Sequence, residues 1–185
     1  MYNQTDVRFA DGIRYSYNDA LSAELEKLTR VQLYDTRAWQ KFVKLFKNPG
    51  VDDHDRGWRG EYWGKMMRGG ALVYAYTQDE ALYNVLTATI RDMMTAAEED
   101  GRVSSYARSG EFDSWDLWCR KYVLLGSEYY LDICRDEALK AEILRFICRA
   151  ADYIIAHIGP NPGQKRITDA TRSWYGINST SILEP

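Results

Sequence analysis

The sequence predicts an all-α fold of antiparallel helical hairpins, and three observations carry that prediction. Gly60–Tyr76 is apolar on almost every side when wound as a helix, which marks a helix interior to its domain. The segment after Asp79 instead shows one apolar face, Leu82, Leu86, Ile90, Met93 and Ala97, which marks a helix lying outside. This inner–outer order then returns. Asp79-Glu80-Ala81-Leu82 recurs as Asp136-Glu137-Ala138-Leu139, 57 residues on, and Trp63, Trp118 and Trp174 follow one another at spacings of 55 and 56. Self-similarity at a fixed period marks a repeat architecture. The unit reads as inner helix, short turn, outer helix, long loop.

The 185 residues suit one domain, 1–185, and a 45% hydrophobic content suffices for a core. A net charge of −3 without a basic block argues against nucleic acid as a partner. No apolar run reaches the length of a membrane span, so no membrane partner is expected. The start of the chain shows no basic-then-apolar leader. Cys119, Cys134 and Cys148 fit no metal or redox spacing, and they read as reduced thiols of a cytoplasmic protein. The 14 Tyr and 6 Trp are many for a helical chain. Most such rings pack cores, but amphipathic rings also stack on sugars.

In chain order, residues 1–18 read as an irregular arm. Asp19 caps a helix to about Tyr34, with Leu21, Leu25, Leu28 and Val31 inward. Thr36–Lys47 forms the next helix, with Trp39, Phe42, Val43 and Phe46 inward, until Asn48-Pro49-Gly50 stops it. Val51–Arg59 reads as a solvated, charged loop containing His54, more readily than as a metal cluster of Asp52, Asp53, His54 and Asp55. After the central helix, Asp79 caps an outer helix that Gly101 closes. Arg102–Gly110 is a loop. Asp113–Ile133 is the second inner helix, with Trp115, Trp118, Tyr122 and Leu125 on one line. Its outer partner aligns Ile143, Ile147, Ala150, Ile154 and Ile158 and ends at Gly159-Pro160. Asn178-Ser179-Thr180-Ser181 begins another helix, and the unit is cut short at Pro185. The chain thus reads as the N-terminal part of a longer protein.

Polar residues stand two places before each repeat tryptophan: Glu61, Asp116 and Arg172. Residues at i and i+4 share a helix face, so Glu61 with Lys65, and Asp116 with Arg120, form ordinary ion pairs or line the mouth of a cavity. In the second case Glu61 and Asp116 bind sugar hydroxyls or act as acid or base. Paired carboxylates define many glycosidases, and Glu61, Asp113 and Asp116 are the candidates. His54 and His157 lack a nucleophile at a telling spacing, and Met66-Met67 and Met93-Met94 read as core filler.

Several blocks in order resemble one family: Gly60-Glu61-Tyr62-Trp63-Gly64-Lys65, the Tyr76-Thr77-Gln78-Asp79 turn, the run from Asp113 through Trp118 and Lys121 to Gly126, and Asn178 to Pro185. They are similar to the β-L-arabinofuranosidase-like glycoside hydrolases, family 127 and its relatives, over roughly residues 58–185. The resemblance implies part of an (α/α) six-hairpin toroid, followed in the whole protein by β-sandwich domains, and release of terminal L-arabinofuranose or a related sugar with retention. It implies a cysteine thiolate nucleophile held by zinc, with further Cys and Glu ligands. Those positions fall beyond this chain, and its three cysteines match none of them. No catalytic residue, metal ligand or cofactor is therefore assigned here, zinc belonging to a full-length parent. What carries over is the sugar-facing end of the inner helices: Glu61, Trp63, Lys65, Trp115, Asp116, Trp118, Lys121, Trp174 and Tyr175. The family often has His in these blocks, where this chain has Glu61, Lys65 and Lys121.

Three readings follow: the N-terminal portion of a carbohydrate-acting hydrolase, inactive alone; a non-catalytic helical-repeat module that grips a glycan or protein; or a small helical domain that forms homo-oligomers through its open toroid end.

Overall fold

The computed structural model describes residues 20–172 and 176–185. The expected 1–18 arm, Asp19, Trp174 and Tyr175 lie outside the described residues.

The described chain is helical, without strands. α1 (Ala20–Leu28) runs into a wider π-helical turn, Thr29–Leu33, and is followed by α2 (Thr36–Lys47), the short α3 (Val51–His54), α4 (Glu61–Thr77), α5 (Glu80–Met94), α6 (Asp116–Ile133), α7 (Glu137–His157) and the short α8 (Ile177–Thr180). Tight turns join α4 to α5 and α6 to α7, as expected for helical hairpins. Gln78 takes the left-handed conformation at the end of α4, with φ 56°.

Each outer helix starts on an aspartate. Asp79 accepts from the backbone N–H of Ala81 and Leu82 at 2.9 and 3.1 Å, and Asp136 from those of Ala138 and Leu139 at 2.9 and 3.2 Å. Asp35 does the same for α2 at 3.0 and 3.3 Å. Such a cap satisfies donors that helix geometry leaves orphaned. The repeat marker is therefore present in the first hairpin, where the four-letter match is not. Neighbouring hairpins are also tied through these caps: the Tyr34 hydroxyl donates to Asp79, and Arg91 donates to Asp136 at 3.4 Å.

The most extensive contact in the molecule is α4 against α6. The two run parallel, since Glu61 meets Trp118, Lys65 lies over Tyr122 and Arg68 over Tyr129. Glycine permits the approach: a methyl on Gly64 would sit 1.8 Å from the Tyr122 carbonyl oxygen, and one on Gly126 2.8 Å from the Gly64 Cα. Behind this pair the core is filled by Met67, Leu82, Leu86, Ile90, Met93, Leu139 and Ile143, all buried.

Three expectations need correction. Leu21 and Val31 are 63% and 62% exposed, and Thr29 and Leu33 are buried instead. The π-helical turn adds a residue to the local period, so the stripe extrapolated at 3.6 residues per turn misses the core beyond Leu28, and α1 itself buries no residue. α6 begins at Asp116 rather than Asp113, because Phe112 and Ser114 have φ of 53° and 49°, which the right-handed helix forbids. Val51–Arg59 is no freely solvated loop. It contains α3, and Asp52 is fully buried.

Candidate functional site

The parallel pairing of α4 and α6 brings the N-terminal halves of the two inner helices together. Glu61 sits in the first turn of α4, where a carboxylate is favoured by the helix dipole. Its carboxylate takes the Lys65 ammonium at 2.8 Å and accepts the Trp118 indole N–H from α6. The Lys65 Nζ then lies 4.8 Å from the Tyr122 ring centre and 5.7 Å from that of Trp118. On α6, Lys121 lies 4.9 and 4.8 Å from the centres of the same two rings and pairs with Glu184. Cation–π geometry of this kind fixes ammonium groups over ring faces.

The aromatic row continues upward. Trp118 meets Tyr122 edge to face at 5.3 Å and Trp115 at 5.6 Å, and Trp115 meets Trp58 at 5.7 Å. Trp58 and Tyr62 are exposed, and Trp115, Trp118 and Tyr122 are half-buried. The result is a continuous wall of rings carrying paired charges. Ring faces suit the C–H faces of sugars, and the paired charges suit sugar hydroxyls, which both donate and accept.

The structure thus gathers Glu61, Lys65, Trp115, Trp118 and Lys121. It places two of the sequence candidates elsewhere. Trp63 is completely buried, and its indole N–H donates to Thr89 of α5 at 3.0 Å, so it faces the outer helix. Asp116 is also inaccessible. It accepts from Ser104 Oγ at 2.5 Å, from the Phe112 backbone N–H at 2.8 Å and from Arg120 at 3.1 Å. Glu111 joins Arg120, Arg102 and the Tyr153 hydroxyl in the same network. Buried charges persist only when so paired, and this set ties the long loop before α6 to α6 and α7. Asp113 pairs with Arg172 at 2.7 Å, apart from the wall.

Two residues near the wall were not among the sequence candidates for it. Asp52 accepts from the backbone N–H groups of Arg59 and Gly60 at 3.1 and 2.8 Å and from Ser105 Oγ at 2.7 Å. It fixes the chain immediately before Glu61. Its Ser105 partner is 53 residues away, so no local pattern announces it. Glu128 lies two turns beyond Lys121 on α6, and burial, then Asp132 and Glu184, push its carboxyl above the usual range. The i, i+7 spacing from Lys121 was the available clue.

The zinc-held thiolate implied for a full-length parent finds no fit here. Among the described residues no three His, Cys, Asp or Glu side chains converge to hold a metal ion. The Cys119 thiol is buried at 3.9 Å from Asp52, and burial, then Asp52 and Asp116, push it well above its usual value. It stays a protonated, unreactive thiol at neutral pH. No helix among the described residues is long and apolar enough to cross a membrane.

The family model of the beta-L-arabinofuranosidase, GH127 catalytic domain, matches residues 6–184. The match takes in the first hairpin, beyond the blocks that carried the resemblance. No curated protein and no solved structure matches the chain.

Proposed function

The chain belongs to the beta-L-arabinofuranosidase, GH127 catalytic-domain family, and from that premise we propose that its α4–α6 wall binds a terminal L-arabinofuranose or related sugar. The chain is then a glycoside hydrolase-like domain contributing the N-terminal arc of an (α/α) toroid, with α4 and α6 as inner helices and α2, α5 and α7 outside. The observation that carries this reading is Glu61 held between Lys65 and the Trp118 indole N–H, in line with the half-buried Trp115 and the exposed Trp58. Such a carboxylate orients sugar hydroxyls from a fixed position. Trp174 and Tyr175 belong to the same proposal as its third block.

In this reading the chain does not turn over substrate alone, and the zinc chemistry belongs to a fuller parent. Incubation with 4-nitrophenyl β-L-arabinofuranoside, with and without added zinc, tests it. Sugar binding without release of nitrophenol is expected; release that chelation abolishes would contradict it. A second reading, a non-catalytic module that grips a glycan or protein partner, is favoured by the full engagement of Glu61, which leaves it a positioning group rather than a proton donor. Binding by this chain that persists with zinc and never yields product, also in a longer parent, would select that reading.

A further inference from the structure

The long loops that lead into the inner helices border a second feature, open to solvent, beside the aromatic wall. It is a cavity of about 490 Å³ lined by Asp53, His54 and Arg56 around α3, by Tyr106 and Ser114 before α6, and by Arg172. Its volume lies in the range of small-molecule sites. Two observations mark it as more than a gap between loops. Ser114 is 2% exposed, and among the described residues its hydroxyl has no hydrogen-bond partner, nor has Oδ1 of Asn178, whose Nδ2 donates to the Ser114 carbonyl at 2.7 Å. A buried hydroxyl without a partner is uncommon and calls for an explanation. The backbone that presents it is strained, with Phe112 and Ser114 both at positive φ on either side of Asp113. Strain of this kind concentrates at binding and switch segments.

The free valences of the cavity define its ligand. Asp113 has both oxygens engaged, Oδ1 accepting from the Ser114 N–H at 2.7 Å and Oδ2 from Arg172 at 2.7 Å. Asp53 Oδ2 accepts from the Ala107 N–H at 3.0 Å, while its Oδ1 accepts nothing among the described residues. The Arg56 and His54 side chains make no hydrogen bond or ion pair with described residues, the Arg56 backbone N–H alone donating, to the Asp53 carbonyl at 3.3 Å. The cavity therefore offers donors (Arg56, His54, the Ser114 hydroxyl) beside acceptors (Asp53 Oδ1, the Ser114 oxygen), with two arginines balancing two aspartates. A near-neutral lining of alternating donors and acceptors matches vicinal hydroxyl groups, each of which donates and accepts. It does not match a carboxylate or phosphate, which would meet the two aspartates.

We propose that this cavity is a second carbohydrate site, binding a neutral sugar unit through its hydroxyls with Ser114 and Arg56 as the principal contacts. The choice of a sugar rests on the carbohydrate reading of the α4–α6 wall; the location and the residues do not. An isotope-labelled chain titrated with L-arabinose and with arabinobiose, and observed by amide NMR, tests it. The Ala107 and Gly110 N–H resonances report on the cavity, and the Trp118 indole N–H reports on the wall. The expected result is movement of Ala107 and Gly110, with at least fivefold more sugar required in both Arg56→Ala and Ser114→Ala. Arg56 is an exposed side chain, so its truncation decides the matter if Ser114→Ala alters the loop. Movement of the Trp118 indole alone would overturn this site while leaving the wall intact. Movement of neither would overturn both, and saturation by D-galacturonate at lower concentration than by L-arabinose would overturn the neutral-sugar assignment.

Discussion

Gly64→Ala and Gly69→Ala are the same chemical change on the same helix, and the structure assigns them opposite signs. At Gly64 the added methyl would lie 1.8 Å from the Tyr122 carbonyl oxygen and 2.3 Å from its carbon, so the obstacle is backbone that no rotamer relieves. Ordinary contact begins near 3.4 Å, so α6 must retreat by about 1.5 Å at the turn carrying Trp118 and Tyr122. Overpacking of this kind costs about 3 kcal/mol at the upper end of its usual range. Alanine returns roughly 1 kcal/mol through helix propensity. The net loss is about 2 kcal/mol, which lowers the melting temperature of a chain this size by about 4–8 °C. Gly69 has no atom within 4 Å of the same methyl, so only the propensity gain of about 1 kcal/mol remains, and the melting temperature rises by about 2–4 °C. Thermal melts read by circular dichroism measure both. Equal stabilisation by the two substitutions would refute the close parallel packing of α4 on α6.

Asp52→Ala strips partners from two backbone N–H groups and a buried hydroxyl, and a loss of about 3–5 kcal/mol is expected in urea unfolding. The Tyr34–Asp79 bond makes stability depend on pH at both ends. The Tyr34 hydroxyl is raised from 10.0 to about 12 by its bond to Asp79, so its contribution is complete below pH 10 and fades as pH rises toward 12. The same bond holds the Asp79 carboxyl below its usual 3.8, so that contribution is present above this value and fades on further acidification. In Tyr34→Phe both dependences shrink relative to the parent chain, as urea midpoints across pH will register. Trp118→Phe keeps an aromatic ring, a smaller one, but removes the donor to Glu61. Melting should fall by the equivalent of about 1 kcal/mol, while affinity for an arabinofuranoside, read by calorimetry, drops at least fivefold.

Much of the fold was legible because it rests on local signals. The aspartate caps and the contrast between apolar and amphipathic helices located α4 to α7. The tryptophans misled in part, for a reason helix geometry makes plain. The caps Asp79 and Asp136 stand 57 apart, but Trp63 and Trp118 stand 55 apart. Two residues of slippage turn a side chain by about 200° around a helix of 3.6 residues per turn. Trp63 therefore faces α5, and the residue in register with Trp118 is Glu61, the group it touches. Asp116 was readable as an i, i+4 partner of Arg120, but its burial depends on Ser104 and Glu111 arriving with the loop. Asp52 and the orphaned Ser114 hydroxyl depend likewise on chain brought from a distance, which periodicity does not encode.

In the proposed function α4 and α6 together present a sugar-binding wall at Glu61, Lys65 and Trp118. It is tested most directly by following the indole N–H resonances while methyl β-L-arabinofuranoside is added. The Trp118 signal should shift in a saturable way as the sugar displaces or joins its bond to Glu61, while the Trp63 signal, locked on Thr89, stays in place. A Trp118 signal that never moves at saturating sugar would rule out the sugar-binding wall.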